Sequence, residues 1–248
     1  MGARLVLILG GTAEAAGLAA ALADRPSWWT VTSLAGRTSE PRPVAGELRQ
    51  GGFGGVAGLT AWLAAERPAA VVDATHPFAR QMPWHAAEAC AALGIPRLRL
   101  LRPSWQRAGE DRWVEVADAA EAVRILPNFG KTALLTTGQE EVKLFLQLHQ
   151  RMRLVLRSIE PIPDLPLGVV HVQARPPFTL ETESVLLARY GVDVLVSKAA
   201  GGAAGQAKIL AARARDIPVV LLARPPQPEG PCCGGVAGAL AWLAQQGS

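Results

Sequence analysis

The stretch "RLVLILGGTAEA", residues 4–15, decides the fold. After Arg4 comes a run of apolar residues without alternation, which suits a strand buried on both faces. Two adjacent glycines end it, and a threonine and a glutamate stand where a helix should begin. Strand, glycine turn and helix open a dinucleotide-binding unit, although the G-x-G-x-x-G spacing is incomplete. Amides at such a helix start favour an anion, glycines let a pyrophosphate approach, and Thr12 can cap the helix and also hydrogen-bond a phosphate. A plain structural turn between strand and helix reads the same way.

Outward from this turn, short apolar runs alternate with longer alanine- and leucine-rich segments. "WTVTSLA", "AAVVDA" and "PRLRLL" are strands, with helices at 13–23, 57–66 and 78–93. This β-α alternation predicts an α/β protein with a parallel sheet covered on both faces. "RPSWQRAGEDRW", 102–113, is polar, carries Pro and Gly, and interrupts the series. A second series follows, with strands in "TALLTT", "RLVLRS", "VVHVQA", "VDVLVS" and "PVVLLA" and helices near 140–149, 178–190, 205–215 and 235–246. The expected architecture is two Rossmann-like domains with parallel sheets, 1–112 binding a nucleotide and 113–248 contributing a second site. Ligands would lie in an interdomain cleft at the carboxyl ends of the strands.

Bulk properties narrow the function. The 248 residues are 50% hydrophobic, enough for a substantial core, and carry a net charge of +4. Basic residues are scattered, with no run of five like charges, so no nucleic-acid partner is expected; a polyanionic small ligand fits better. Three cysteines make no disulfide framework. No Cys or His set has metal-ligand spacing, His85 with Glu88 being the nearest, so no metal is expected. Leu5 to Leu9 is too short for the apolar region of a secretion signal, and no window suits a membrane span. A cytoplasmic protein without a membrane partner is expected.

Several strand ends carry residues suited to chemistry. "SLAGRTSEP", 33–41, places Ser33, Arg37 and Thr38 where an arginine accommodates the 2′-phosphate of NADP, and no carboxylate occurs before Glu40. "GGFGG", 51–55, permits close backbone approach or serves as a flexible loop. "DATHPFA", 73–79, puts Asp73, Thr75 and His76 at a strand end and Phe78 at the start of a helix; His76 is the candidate for a proton role. In the second half "TTG", 136–138, and "SKAAGG", 197–202, each close a strand, and Lys198, Lys208 and Arg213 add positive charge suited to carboxylates. In the helix, Lys208 and Arg213 can equally be solvated. No nucleophile elbow, P-loop or Cys-His pair is present.

Taken in order, "GGTAEA", "SLAGRT", "GGFGGVAGL", "DATHPFA", "RPSW", "TTG" and "SKAAGG" resemble the precorrin-6A reductase family of cobalamin biosynthesis, over nearly the whole chain. The resemblance implies NADPH-dependent reduction of one double bond of precorrin-6A to precorrin-6B. It also implies a polycarboxylate corrin precursor as substrate and transient contact with neighbouring pathway enzymes. By this resemblance Gly10, Gly11, Thr12 and Glu14 serve the phosphates, Ser33, Arg37 and Thr38 the 2′-phosphate, and Asp73, Thr75, His76, Pro77 and Phe78 the nicotinamide side. Thr137, Gly138, Ser197, Lys198, Gly201 and Gly202 face the macrocycle, and His76 is the proton donor to be tested. The alternatives are a cobalt-precorrin-6A reductase using NADH, a cofactor-free tetrapyrrole lyase similar to uroporphyrinogen-III synthase, and a non-enzymatic nucleotide-binding domain.

Overall fold

A computed structural model describes residues 2–36 and 43–246. The chain forms two compact units, one of residues 1–103 with 225–248 and one of 104–224. Each is built on a six-stranded, wholly parallel sheet.

The first unit runs β1 (Arg4–Leu9), α1 (Ala13–Ala23), β2 (Trp28–Leu34), β3 (Glu47–Gln50), α2 (Gly55–Glu66), β4 (Ala70–Asp73), α3 (Met82–Leu93) and β5 (Arg97–Leu100). β1 is an unbroken apolar run because both of its faces are covered. Val6 and Ile8 join a core with Leu18 and Leu22 of α1, while Leu5, Leu7 and Leu9 join another with Leu59, Leu63 and Ala86.

The second unit runs β6 (Trp113–Val116), α4 (Ala119–Ile125), β7 (Thr132–Thr136), α5 (Gln139–Phe145), β8 (Arg153–Ser158), β9 (Val170–Gln173), α6 (Leu180–Tyr190), β10 (Val194–Lys198), α7 (Gln206–Ala214) and β11 (Val219–Leu222). The chain then returns to the first unit with β12 (Cys232–Cys233) and α8 (Val236–Gln245).

Strand order in the first sheet is β3-β2-β1-β4-β5-β12, and in the second β9-β8-β7-β10-β11-β6. Both are the doubly wound order in which the direction of winding reverses once, between β1 and β4 and between β7 and β10. The sixth strand of each sheet is supplied from outside the regular series. Consequently the expected division at 112/113 with the C-terminus in the second domain is corrected. Cys232 and Cys233 pair with Arg99 and Leu100 of β5, and α8 buries Ala239 and Leu243 against the α1 side of the first core. A two-residue strand behind a proline-rich loop carries no periodicity to read.

Other boundaries also move. β3, β6 and α4 were not foreseen. The helix expected at 78–93 begins at Met82, so Phe78 lies in the preceding turn; the helix expected at 140–149 ends at Phe145 and tightens into a 3-10 turn over Leu146–Leu148. Among the described residues no helix is long and apolar enough to cross a membrane.

Candidate active site

In the first unit, three turns meet at the point where the winding reverses. Gly10 donates its amide to Ser33 O at 2.9 Å, and a side chain at Gly10 would strike Thr32 Cγ2 at 2.9 Å, so only glycine lets β1 and β2 end side by side. Gly11 has φ +103, and a Cβ there would point into open space. The turn is therefore closed against the protein at Gly10 and open at Gly11. Thr12 Oγ1 accepts from Ala15 N at 3.1 Å, capping α1, and donates to Ala74 O at 2.7 Å. That spends its proton on the turn after β4, so what this turn offers an anion is its backbone: the amides of Ala13 and Glu14, in the first turn, have no intrahelical acceptor. Thr12→Ala, which removes both bonds, should cost about 1–2 kcal/mol of stability, read from the urea midpoint.

Glu14 stands where a carboxylate would repel a phosphate, but Arg102 Nη1 lies 3.0 Å from its Oε2 and offsets the charge. Ser33 Oγ accepts from Arg49 Nη1 at 3.3 Å. Arg49 also donates to the carbonyls of Gly51 and Gly52 at 2.7 and 3.0 Å and lies 3.8 Å over the Phe53 ring, so it organises the "GGFGG" loop. Arg37 and Thr38 lie outside the described residues.

Asp73 is wholly buried and holds the "DATHPFA" turn from beneath, a correction to its expected place facing a ligand. Its Oδ1 accepts from Thr75 N at 3.0 Å, Thr75 Oγ1 at 2.7 Å and Arg99 Nη1 at 2.9 Å. Arg99, itself buried, reaches on to the carbonyls of Asp73 and Thr75. Burial lowers the Arg99 pKa, and the Asp73 carboxylate opposes that shift. His76 is exposed, and its Nδ1 accepts the Phe78 amide at 3.2 Å, which places the proton of the neutral ring on Nε2. Pro77 is buried and Phe78 half-buried.

In the second unit the turns after β7 and β10 flank the other reversal point. Thr136 pairs with Ser197, and Lys198 Nζ lies 2.9 Å from Glu141 Oε1. Gly138 has φ +98, and a Cβ there would sit 3.6 Å from Lys198 Nζ and 3.7 Å from Glu141 Oε2. Lys208 Nζ donates to Thr136 Oγ1 at 3.1 Å. Beneath, Arg157 and Glu183 form a buried pair at 2.7 Å, and Arg157 stacks on Phe178. Trp105 Nε1 donates to Gly202 O at 2.8 Å and so braces the Gly201–Gly202 turn. The Thr137 and Ser197 side chains are buried, Ser197 Oγ bonding Lys198 O at 3.2 Å, so these two shape the turns. Arg213 is withdrawn from ligand duty: its guanidinium grips Asp111 through two bonds of 2.8 and 2.9 Å, tying α7 to the segment before β6.

The sequence reading missed Arg49, Arg99, Arg102, Trp105, Glu141, Arg157 and Glu183. Only Arg99 carried a local signal, a charge between leucines in a buried strand. A cavity of about 490 Å³ lined by Arg112, Asp193 and Asp216 lies at the amino edge of the second sheet, away from these turns. Among the described residues no cluster of His, Cys, Asp and Glu could hold a metal.

Two parallel, doubly wound sheets, each with glycine turns at its reversal point, define a two-domain protein of the Rossmann-like α/β class. A family model described as Precorrin-6x reductase CbiJ/CobK matches residues 5–244. A precorrin-6A reductase of Rhodococcus erythropolis is 44% identical over 241 residues, 96% of each chain. One of Rhodobacter capsulatus is 40% identical over 246 residues, 98% of this chain and 97% of the other. A cobalt-precorrin-6A reductase of Salmonella typhimurium is 28% identical over 231 residues, 89% and 87% of the two chains. A solved structure named CobK precorrin-6A reductase aligns with a TM-score of 0.89 at 38% identity, covering 99% of this chain and 98% of that one. The chain belongs to the precorrin-6x reductase family.

Proposed function

We propose that this protein is a precorrin-6A reductase of cobalamin biosynthesis, which uses NADPH to reduce one ring double bond of precorrin-6A and yields precorrin-6B. The observation that carries the reading is the coincidence of motif and topology. "GGTAEA" and "DATHPFA" flank the reversal point of one sheet, and "TTG" and "SKAAGG" flank that of the other. Reversal points are where open parallel sheets bind ligands. Higher identity to the precorrin-6A reductases than to the cobalt-precorrin-6A reductases favours the cobalt-free substrate. Membership of a reductase family weighs against the cofactor-free lyase alternative.

The residues fit a dinucleotide. The Cβ-free face of Gly11 leaves room for a pyrophosphate against the α1 amides, and Arg102 neutralises Glu14 beside it. Ser33 and Arg49 edge the ribose side, with Arg37 and Thr38 assigned to the 2′-phosphate, and Thr75, His76, Pro77 and Phe78 to the nicotinamide side. When bound, NADPH supplies a hydride. Around the macrocycle, Gly138, Gly201 and Gly202 let backbone approach a flat ring, and Lys198 presents a cation to its acetate and propionate arms. Positioning is the chief task, since a hydride must be held about 3–3.5 Å from its acceptor.

The test is calorimetric titration with NADPH and NADH, followed by reduction of precorrin-6A. NADPH should bind in preference. Arg37→Ala should weaken NADPH by roughly 10- to 100-fold, the loss of a charge-assisted hydrogen bond, with NADH little changed. Equal loss for both nucleotides would remove Arg37 from the 2′-phosphate; binding of neither would sink the cofactor assignment.

A further inference from the structure

A second cavity, of about 190 Å³, is lined entirely by residues of the second unit and lies against β6 and β11. Its apolar walls include the indoles of Trp105 and Trp113 and the Leu221 side chain, and its charged residues are Glu115 and Arg224. Trp113, Glu115 and Leu221 share one face of the sheet, because residues two apart on a strand point the same way and Glu115 pairs with Leu221. The two tryptophans differ in how their polar atoms are spent. Trp105 Nε1 donates to Gly202 O at 2.8 Å. Trp113 is only 9% exposed, and its Nε1 has no partner among the described residues. A buried indole N–H ordinarily finds an acceptor, and leaving that bond unmade is costly. Glu115 is exposed, and among the described residues its carboxylate has no ion-pair or hydrogen-bond partner. Arg224, by contrast, is committed: Nε donates to Ala199 O at 2.9 Å and Nη2 to Ala200 O at 3.0 Å.

We propose that this cavity is a binding site for a small uncharged molecule of the carboxamide or lactam class, flat and otherwise apolar. Trp113 Nε1–H supplies a donor and asks for a carbonyl oxygen. Glu115, two residues further along β6, supplies an acceptor and asks for an N–H. A carboxamide is a compact neutral group that carries both. The indoles and Leu221 favour a flat apolar body. The charges of Glu115 and Arg224 offset one another, so an ion of either sign is attracted by one and repelled by the other. The volume corresponds to roughly six waters at ~30 Å³ each, below that of sites for drug-sized ligands, which limits the occupant to about ten non-hydrogen atoms.

The site lies beyond the reductase reading and does not depend on it. Its walls nevertheless include the side chains that hold the Ala199–Gly202 turn, Trp105 through Gly202 O and Arg224 through the carbonyls of Ala199 and Ala200. An occupant packed on those walls therefore steadies the turn.

The test uses the full chain with three probes of similar size: benzamide, benzoate and benzylammonium. The seven tryptophans give seven indole ¹H–¹⁵N NMR signals, and the one absent from Trp113→Phe reports on the site. Benzamide should shift that signal saturably, with a Kd of about 0.1–1 mM, as befits so small a ligand. Benzoate and benzylammonium should bind more weakly by about 10-fold or more, since each brings a charge out of water without a matched partner. Read by calorimetry, Trp113→Phe and Glu115→Ala should each weaken benzamide by about 3- to 10-fold, the worth of one hydrogen bond. Ala223→Leu fills the cavity while leaving both polar partners in place, and should abolish binding; it serves also if Trp113→Phe does not fold. The absence of a saturable shift, meaning a cavity that holds water only, would overturn the proposal. So would tighter binding of benzoate or benzylammonium, or full benzamide affinity in Ala223→Leu. None of these readouts involves NADPH or turnover, so failure here leaves the reductase reading standing, and failure of that reading leaves this site standing.

Discussion

Replacing Asp73 with alanine should destabilise the first unit by about 3–5 kcal/mol, because it strands a buried guanidinium. Arg99 is 3% exposed and Asp73 fully buried, so neither has water as an alternative partner. Removing the carboxylate deletes the 2.9 Å ion pair and two bonds from Thr75, and the turn after β4 loses its support. Urea denaturation of the full chain measures the loss as an early transition. The double variant Asp73→Ala with Arg99→Met should recover part of it, since the uncompensated charge is then gone. NADPH affinity should fall with the turn. A loss below about 1 kcal/mol, the scale of an exposed pair, would show that the pair is solvated and the brace unimportant.

Gly58→Ala should also be strongly unfavourable, against the local rule. In a helix interior alanine is favoured over glycine by about 1 kcal/mol. Here a Cβ would overlap Phe53 O and lie 2.8 Å from its carbonyl carbon, a clash with backbone that no rotamer change relieves. Overpacking of this kind costs about 1–3 kcal/mol, so the clash should outweigh the propensity gain. The displaced Phe53 is the platform for Arg49, 3.8 Å away, so NADPH binding should weaken as stability drops. Gly17→Ala in α1, where a Cβ meets Val236 Cγ2 at 3.4 Å, is the matched control. If Gly58→Ala were as stable as wild type and bound NADPH equally well, the loop would be yielding rather than fixed.

Asp73 meets Arg99, 26 residues further on, while Gly58 meets the Phe53 carbonyl a short way back across a turn whose path no residue preference fixes, which explains what was and was not legible. α1 was expected at 13–23 and occupies Ala13–Ala23, and the strands around "RLVLIL" and "RLVLRS" likewise fall where the apolar runs place them. The motif glycines were readable as turns because glycine is required locally; that Gly10 abuts Thr32, and Gly58 the Phe53 carbonyl, was not. For charged residues the gap is wider. Asp73, Arg213 and Glu183 look alike in sequence to solvated charges, and only partner and burial separate a brace from a ligand-facing group.

Local chemistry along the chain was thus enough for the α/β alternation, the parallel sheets, the glycine turns and the family. Periodicity and turn preference act over a few residues and are written in order. Which segments supply the sixth strands, which lysine stays ion-paired to a carboxylate and which is left with a hydroxyl, and that Thr12 spends its proton on Ala74 were decided by the tertiary structure alone. Pairing across the sheet depends on which strand ends become neighbours, and desolvation on what closes over them; both are properties of the packed chain.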